Sequence, residues 1–216
     1  MDRLPLVSVI TPTWQRHDLL TGRCMPSVAA AAAAWPQVEH VIVSDGPDPK
    51  LAALLCGMFD PPPDAVRRPC LMPRAAYVEL PAHEPARHWG HLARLAGIAV
   101  ARGDVIAYLD DDDAYRPGHL AVLAGALART GADFAYGQMV SHASAEMTIG
   151  VPLPCPGQIG TPMIVHRRDL LDVATWGPAD PMEDWQLVER WMAGGARWEF
   201  VPEPTVDVWP SEIHHH

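Results

Sequence analysis

Basic side chains and cysteines are scarce in this sequence, and long apolar runs are missing. The chain has 16 Lys and Arg against 26 Asp and Glu, a net charge of −10, which argues against a nucleic-acid partner. The four cysteines match no zinc or redox spacing, so we interpret them as reduced thiols. No apolar stretch has the roughly 20 residues of a membrane span, and the N-terminus lacks the apolar region of a signal peptide. These absences predict a cytoplasmic protein without a transmembrane segment.

Common catalytic signatures are missing as well: there is no Walker A sequence, no GxGxxG and no GxSxG. Hydrophobic residues make up 49% and charged residues 19% of the 216 residues, a balance typical of one globular domain. We expect that domain to span residues 1–211. Residues 212–216 form a tail whose His214–His216 are typical of a purification tag.

Strand and helix patterns alternate along the first half of the chain. Apolar runs predict strands at residues 6–11, 38–44, 75–80 and 105–109, with helices at 18–35, 51–59, 88–103 and 117–129. Pro26 is expected to start or kink the first helix, and Gly103 to cap the third. This alternation predicts an α/β fold whose Rossmann-like, mainly parallel central sheet is flanked by helices.

The second half follows a different pattern. Residues 132–142 and 145–152 are predicted to form an antiparallel pair, which gives the fold a small antiparallel element. A strand and then a helix are expected over 160–173, a helix over 182–195 and a closing strand over 196–202.

Polar residues follow three of the predicted parallel strands, at 11–13 (TPT), 44–46 (SDG) and 110–113 (DDDD). Ligands of such sheets bind at the carboxyl ends of the strands. Four adjacent carboxylates repel one another, and a hard cation such as Mg²⁺ or Mn²⁺ relieves that repulsion while keeping positions for substrate phosphates. An acidic run is also typical of a solvated turn, but the two neighbouring polar strand ends favour a ligand site.

Two further acidic positions have two interpretations each. Asp45 suits an Asx turn before Gly46, which the residues alone slightly favour; the alternative is a carboxylate that accepts hydrogen bonds from a nucleobase or ribose. Asp184, beside Glu183, suits the positive N-terminus of a helix, and equally a general base. Trp176 and Trp185 flank this acid pair and are candidates either for the core or for stacking on a sugar.

Five segments together resemble the family-2 glycosyltransferases, which have the GT-A fold. The resemblance spans about residues 6–205, and each motif is modest while their order and spacing are specific. The segments are VSVITPTWQR, VEHVIVSDGP, ARLAGIAVARGDVIAYLDDDD, GTPMIVHRRDLL and MEDWQLVERWMAGGARWEFVPEP.

The resemblance implies a metal-dependent, inverting transfer of a sugar from a nucleotide-diphosphate sugar to an acceptor hydroxyl. A UDP-sugar is the commonest donor in such a family, and the cation would be Mn²⁺ or Mg²⁺. Residues 1–115 would form the nucleotide-sugar-binding half and residues 116–211 the acceptor-side half. The acceptor itself and the oligomeric state are not predicted.

The resemblance also implies roles for individual residues. Asp184 would be the catalytic base, and Asp112 the principal metal ligand with help from Asp110. Which of the four acids bind metal stays open, since the run leaves the register of Asp111 and Asp113 ambiguous. The nucleotide-sugar contacts would be Thr11, Pro12, Thr13, Asp45, Arg94, Asp110 and Asp111, and the acceptor-side contacts Glu183, Trp176 and Trp185.

The sequence departs from the family pattern at a few positions. Trp14-Gln15 replaces the usual Tyr-Asn, and Leu95 stands where Asn often follows Arg. A metal-binding His common near the end of the domain has no counterpart, and Asp207 is a possible substitute.

Two other functions remain as alternatives. A sugar-phosphate nucleotidyltransferase would need a Gly-rich, basic N-terminal signature, which TPTWQRHD lacks. A non-catalytic nucleotide-sugar-binding module would not need the acids that the chain retains.

Overall fold

In the part of the chain that the structure describes, nine strands form one mixed sheet. The structure is a computed structural model, and it describes residues 4–59, 75–82, 90–143, 145–177 and 182–210. The strands are β1 (Val7–Thr13), β2 (Val38–Ser44), β3 (Ala75–Glu79), β4 (Val105–Tyr108), β5 (Ala114–Tyr115), β6 (Phe134–Ser141), β7 (Met147–Ile149), β8 (Ile164–Arg167) and β9 (Trp198–Val208). The helices are α1 (His17–Leu19), α2 (Met25–Ala34), α3 (Pro49–Phe59), α4 (His91–Val100), α5 (His119–Thr130) and α6 (Glu183–Ala193).

The first four strands form the predicted parallel part of the sheet, in the order β3-β2-β1-β4. Every residue of β1, β2 and β4 is buried, as expected for central strands with both faces covered. Because β1, β2 and β4 run parallel, their carboxyl ends meet at one edge of the sheet. The three polar segments of the sequence come together at this edge.

The sheet continues into the second half without a break. β8 pairs antiparallel with β4, and β6, β9 and β5 follow it in the order β4-β8-β6-β9-β5. The predicted antiparallel pair is confirmed as β6 and β7. The closing strand β9 runs to Val208, further than predicted, because its later residues pair with the end of β6 and with the short strand β5.

The helices lie on two faces of the parallel strands. On one face α4 packs closely, since a Cβ added at Gly97 would meet Ile10 at 2.5 Å. On the other face Thr11 lies 3.6 Å from Cys24 Sγ, in the π-helical turn Leu20–Cys24 that joins α1 to α2. We call these the α4 face and the α2 face; they separate two parts of the site described below.

Some local predictions differ from the structure. The first helix is divided by the π-helical turn, and Pro26 lies in the first turn of α2, directly after it. Gly103 does not cap α4, which ends at Val100. Instead a Cβ at Gly103 would lie 2.5 Å from Ser8 Oγ, so the glycine permits close packing on β1. The helix predicted after β8 is a short 3₁₀ helix, Arg168–Asp172.

Three of the four cysteines lie in the described residues, and all three are free thiols: Cys24, Cys56 and Cys155. Cys70 lies outside the described residues. None of the helices in the described part of the chain has the length and hydropathy needed to cross a membrane.

Candidate active site

The four consecutive acids lie directly after β4, at the carboxyl edge of the parallel strands. Three of them are almost fully buried: Asp111, Asp112 and Asp113 are 4%, 5% and 3% exposed. Asp110 is more open, with a side chain that is 32% exposed. Buried carboxylates need hydrogen-bond or charged partners. Asp111 and Asp112 have their partners on one face of the sheet, and Asp110 has its partner on the other.

Asp111 and Asp112 share one arginine. Arg16 Nη1 donates to Asp112 Oδ2 at 2.7 Å and to Asp111 Oδ1 at 3.2 Å, and Thr13 Oγ1 donates to Asp111 Oδ2 at 2.7 Å. Arg23 Nη1 also donates to the Asp112 carbonyl oxygen at 2.6 Å. The guanidinium of Arg16 thus places a positive charge between two carboxylates.

Asp110 belongs to a second cluster, built around a buried arginine. Arg94 of α4 is 4% exposed; its Nη2 donates to Asp110 Oδ1 at 2.8 Å and its Nη1 to Glu183 Oε1 at 2.6 Å. The guanidinium lies 4.9 Å from the centre of the Trp176 ring. Arg94 therefore links the acids after β4 to the acid pair that opens α6.

Burial shifts the proton affinity of several of these acids. It raises the pKa of Asp113 to about 9, with the neighbouring Asp110 and Asp112 adding to the effect. Burial also raises the pKa of Asp111 to about 6, against the opposing influence of Thr13 and Arg16. The pKa of Glu183 rises to about 7 for the same reason, although Arg94 opposes it. Raised pKa values grouped in one place are typical of functional sites.

Asp184 lies at the start of α6 and is half-buried. Its Oδ1 accepts a hydrogen bond from the Trp185 N–H at 2.7 Å. Burial raises the pKa of Asp184 above its usual value, while backbone hydrogen bonds from Trp185 and Thr161 oppose that rise. The charges of Arg94 and Asp110 also act on it, so Asp184 belongs to the same electrostatic group as the acids after β4.

The ends of β1 and β2 contribute differently to the site. Thr13 contacts the acids through its hydroxyl, and Asp45 is half-buried beside it, with its N–H bonded to the Thr13 carbonyl oxygen at 2.9 Å. Pro12 is buried on the α4 face, 3.1 Å from the position of a Cβ at Gly90. Thr11 is fully buried and its hydroxyl pairs with His40 Nε2 at 2.8 Å. Any contact of Thr11 with a nucleoside would therefore come from its main chain.

The two tryptophans near α6 differ in exposure. Trp176 is 3% exposed and meets Tyr108 edge to face, with 5.1 Å between the ring centres. The Arg94 guanidinium lies over its ring. Trp185 is half-buried and packs against the core. Their role as acceptor contacts stays a prediction.

The sequence model of the family described as glycosyl transferase family 2 matches residues 8–159. The chain belongs to this family. The match includes β1 from Ser8 onward, the strand-end motif of Asp45 and the four acids. A comparison of this family-2 chain with curated protein sequences found no match.

Solved structures share the fold of this glycosyltransferase-family chain. TarS 1–349 from S. aureus has a TM-score of 0.71 at 17% identity, over 94% of this chain and 60% of its own. The same protein in complex with UDP-GlcNAc gives 0.71 at 18% identity, over 97% and 60%. The mannosyltransferase PcManGT from Pyrobaculum calidifontis, in complex with GDP-Man and Mn²⁺, gives 0.71 at 16% identity, over 99% and 59%. The family-2 chain thus spans about 60% of the TarS 1–349 and PcManGT chains and 37% of the longer TarS chain.

Sequence reasoning missed two arginines of the family-2 site, Arg16 and Arg23. Arg16 ends the motif VSVITPTWQR, and an arginine shortly after a strand end was the available signal. Arg23 gave no signal, because its contact with Asp112 spans 89 positions of the chain. Asp207, considered as a substitute metal ligand, instead accepts hydrogen bonds from Arg116 at 2.7 and 2.9 Å and pairs with His142 at 2.8 Å.

Proposed function

We propose that this chain is an inverting glycosyltransferase that moves a sugar from a nucleotide-diphosphate sugar to an acceptor hydroxyl. The observation that carries the proposal is the position of Arg94, which contacts both Asp110 after β4 and Glu183 beside Asp184. The contacts of Arg94 would keep two groups in one site: the acids after β4 that hold the donor, and Asp184, the base that acts on the acceptor. Neighbours of the same fold hold UDP-GlcNAc or GDP-Man, so UDP- and GDP-sugars are the first donors to test.

The donor would lie across the carboxyl ends of β1, β2 and β4. Asp45 and Thr13 offer oxygen atoms to the nucleoside, and Pro12 provides an apolar surface on the α4 face. Arg94 would fix the position of Asp110 at the donor end of the site through their ion pair. An ion pair shielded from water in this way is stronger than one in water.

Asp184 is the proposed base. As the acceptor oxygen forms its bond to the anomeric carbon, its proton passes to the Asp184 carboxylate. The bond between that carbon and the diphosphate oxygen breaks on the opposite side, which inverts the configuration, and the nucleoside diphosphate leaves. A carboxylate whose pKa is raised by burial is a better proton acceptor near neutral pH than an ordinary one.

The four acids after β4 have the chemistry to hold a divalent cation. Carboxylate oxygens are the ligands that Mg²⁺ and Mn²⁺ prefer, and such ions keep positions for substrate phosphates. Arg16 already places a positive charge between Asp111 and Asp112, so this position accepts a cation. In the described residues no group of three His, Cys, Asp or Glu side chains is arranged to hold a metal alone; the donor's phosphates would supply further ligands. When bound, the ion would offset the charge of the leaving diphosphate.

Arg16→Gln is expected to strengthen the binding of Mn²⁺ in the absence of nucleotide. Arg16 competes with the ion for Asp111 and Asp112, and losing one charge-assisted hydrogen bond from the competitor should raise the affinity about tenfold. Isothermal titration of Mn²⁺ into both proteins measures the change. Arg102→Gln is the matched control, because Arg102 pairs with Glu39 and not with these acids. Equal Mn²⁺ affinity in wild type and Arg16→Gln would show that Arg16 does not occupy the ion's position.

Product analysis tests the proposed reaction. The protein is incubated with UDP- and GDP-sugars, Mn²⁺ and a panel of hydroxyl acceptors, and the released products are identified. Free nucleoside diphosphate with a glycosylated acceptor is expected, and NMR of the new bond should show the inverted configuration. Pyrophosphate released from a nucleoside triphosphate and a sugar phosphate would indicate a nucleotidyltransferase instead. Donor binding with no product for any acceptor would favour a binding module.

A further inference from the structure

The loop that joins β7 to β8, residues 150–163, closes on itself. A Cβ added at Gly150 would lie 3.0 Å from Met163 Cε at the other end of the loop. The Gly150 N–H also donates to Gln158 Oε1 at 3.3 Å. Compact surface loops whose ends lie close together are frequently functional. We call residues 150–163 the β7–β8 loop.

The β7–β8 loop carries an exposed apolar surface and no charge. The uncharged run extends from residue 147 to residue 165, in a chain whose charged residues make up 19%. Val151 and Leu153 are 36% and 63% exposed. Between them, the Pro152 carbonyl oxygen accepts a hydrogen bond from Trp198 Nε1 at 3.4 Å, and Trp198 is 36% exposed. We call Val151, Leu153 and Trp198 the apolar strip; grouped exposed apolar side chains are typical of a binding site.

The loop is held in an open conformation. Prolines alternate along it at positions 152, 154 and 156, and each fixes its own φ. Tyr136 Oη donates to the Val151 carbonyl oxygen at 2.6 Å, and Gln138 Nε2 donates to the Gly150 carbonyl oxygen at 3.1 Å. These bonds attach the main chain of the loop to β6 and leave its apolar side chains in water. A surface fixed in this way loses little conformational entropy when a ligand binds.

One end of the loop reaches the proposed base. The Thr161 N–H donates to the Asp184 carboxylate. The apolar strip lies beside α6, the helix that begins with the acid pair, because both pack on Phe134 of β6. The centre of the Phe134 ring is 5.7 Å from that of Trp191 in α6 and 6.3 Å from that of Trp198.

The loop then extends away from the base along β6. Gly150 lies over Gln138, since its Cβ would be 3.2 Å from the Gln138 Cα, and Trp198 lies against Phe134. The stretch of β6 between Phe134 and Gln138 is about 13 Å long. The apolar strip therefore covers a distance that suits an alkyl chain or an aromatic group.

We propose that the apolar strip binds the apolar group of the acceptor, so that the hydroxyl that receives the sugar belongs to an amphiphilic molecule with an alkyl or aryl group. The proposal rests on the proposed function, because it takes Asp184 as the base that acts on the acceptor. A wholly polar saccharide would need several polar side chains to orient it, and the one amide of the loop, Gln158, already bonds to Gly150. The net charge of −10 opposes association between copies of the chain, which favours a small neutral ligand as the occupant.

Nile red, a neutral dye that fluoresces in apolar surroundings, is the probe for the apolar strip. The wild type should bind it, and octyl β-glucoside below its micelle concentration should displace it. Methyl β-glucoside, which has the same sugar hydroxyls, should not. Leu153→Ser should weaken the binding of dye and octyl β-glucoside about tenfold, because apolar contact area is lost. Leu54→Ser changes a leucine of α3 that is 37% exposed, and it should bind as the wild type does. A wild type that does not bind the dye, or a Leu153→Ser protein that binds it equally well, would overturn the proposal.

Sedimentation velocity tests a second copy of the chain as the competing occupant. The wild type and Leu153→Ser should sediment alike at every protein concentration. A wild type that associates while Leu153→Ser does not would make the apolar strip an interface between copies and would remove the acceptor from it.

Transfer kinetics distinguish a failure of this inference from a failure of the proposed function. Octyl β-glucoside should be a better acceptor than methyl β-glucoside, and Leu153→Ser should raise the KM for octyl β-glucoside about tenfold. Its kcat should not change, since the strip holds the acceptor equally in the ground and transition states. Equal use of the two glucosides would keep the function and remove this inference. Displacement of the dye by octyl β-glucoside, with no transfer to any acceptor, would keep the strip as the binding site of an amphiphile and remove the proposed function.

Discussion

Asp184→Asn is expected to lower the rate of sugar transfer by about 10²–10⁴-fold, the usual contribution of general base catalysis. Asparagine keeps the size of the side chain and its position at the start of α6, but it cannot take the acceptor's proton. Donor and metal affinity should stay near those of the wild type, because Asp110, Asp112 and Arg94 are unchanged. Initial rates at saturating donor, together with calorimetry of the nucleoside diphosphate, measure the two effects separately.

The pH dependence gives this prediction a second readout. Burial raises the pKa of Asp184, and the base must be deprotonated to act. Transfer by the wild type should therefore fall as the pH falls through that raised pKa, and the fall should begin at a higher pH than an ordinary aspartate would give. Asp184→Asn should lack this acidic limb.

Two comparisons make the test of Asp184 specific. Asp169→Asn changes an exposed acid near β8 and should leave the rate unchanged. Glu183→Gln should have a milder effect than Asp184→Asn, since Glu183 holds Arg94 and does not face the acceptor as the base. A fully active Asp184→Asn protein would remove Asp184 from the mechanism.

Arg94→Leu should destabilise the fold by about 3–5 kcal/mol, the cost of removing one partner of a buried ion pair. The guanidinium side chain is 5% exposed, and it holds Glu183, whose side chain is 8% exposed, and Asp110. Leucine would leave the buried Glu183 carboxylate with no guanidinium to offset its desolvation. Urea denaturation followed by fluorescence at neutral pH measures the free energy of unfolding.

The double variant Arg94→Leu with Glu183→Gln separates the charge effect from the packing effect. A neutral amide costs less to bury than an unpaired carboxylate, so the second change should recover part of the lost stability. Arg129→Leu, at an exposed position of α5, should change stability by less than about 0.5 kcal/mol. A loss below about 1 kcal/mol for Arg94→Leu would mean that the unpaired acids are relieved by water or by protonation of Glu183, whose pKa is already raised to about 7.

Much of the framework could be predicted from local patterns. β1, β2 and β4 are short apolar runs that end in polar residues, and these features depend only on neighbouring positions. The same pattern placed Asp45 and the four acids at one edge of the sheet. The acid pair at 183–184 was found because acids suit the start of a helix.

What the sequence did not reveal depends on distant contacts. Gly103 looked like a helix cap, yet its role is to admit Ser8 of β1, 95 positions away. Arg16 meets Asp112 across 96 positions, and no periodicity encodes that pairing. The burial of Trp176 under Arg94 is also a tertiary outcome, since a tryptophan beside two acids is compatible with both the core and the surface.

The continuity of the sheet limits how the chain can be shortened. A fragment that stopped after Tyr115 would keep the parallel strands but lose β8, so the backbone groups of β4 that bond to β8 would face water. It would also lose β9, the partner of β5. An uncovered, apolar edge such as Val105–Tyr108 favours pairing between molecules. We expect such a fragment to aggregate, so residues 1–115, the proposed donor-binding half, cannot be isolated as a separate binding reagent by cutting the gene at this boundary.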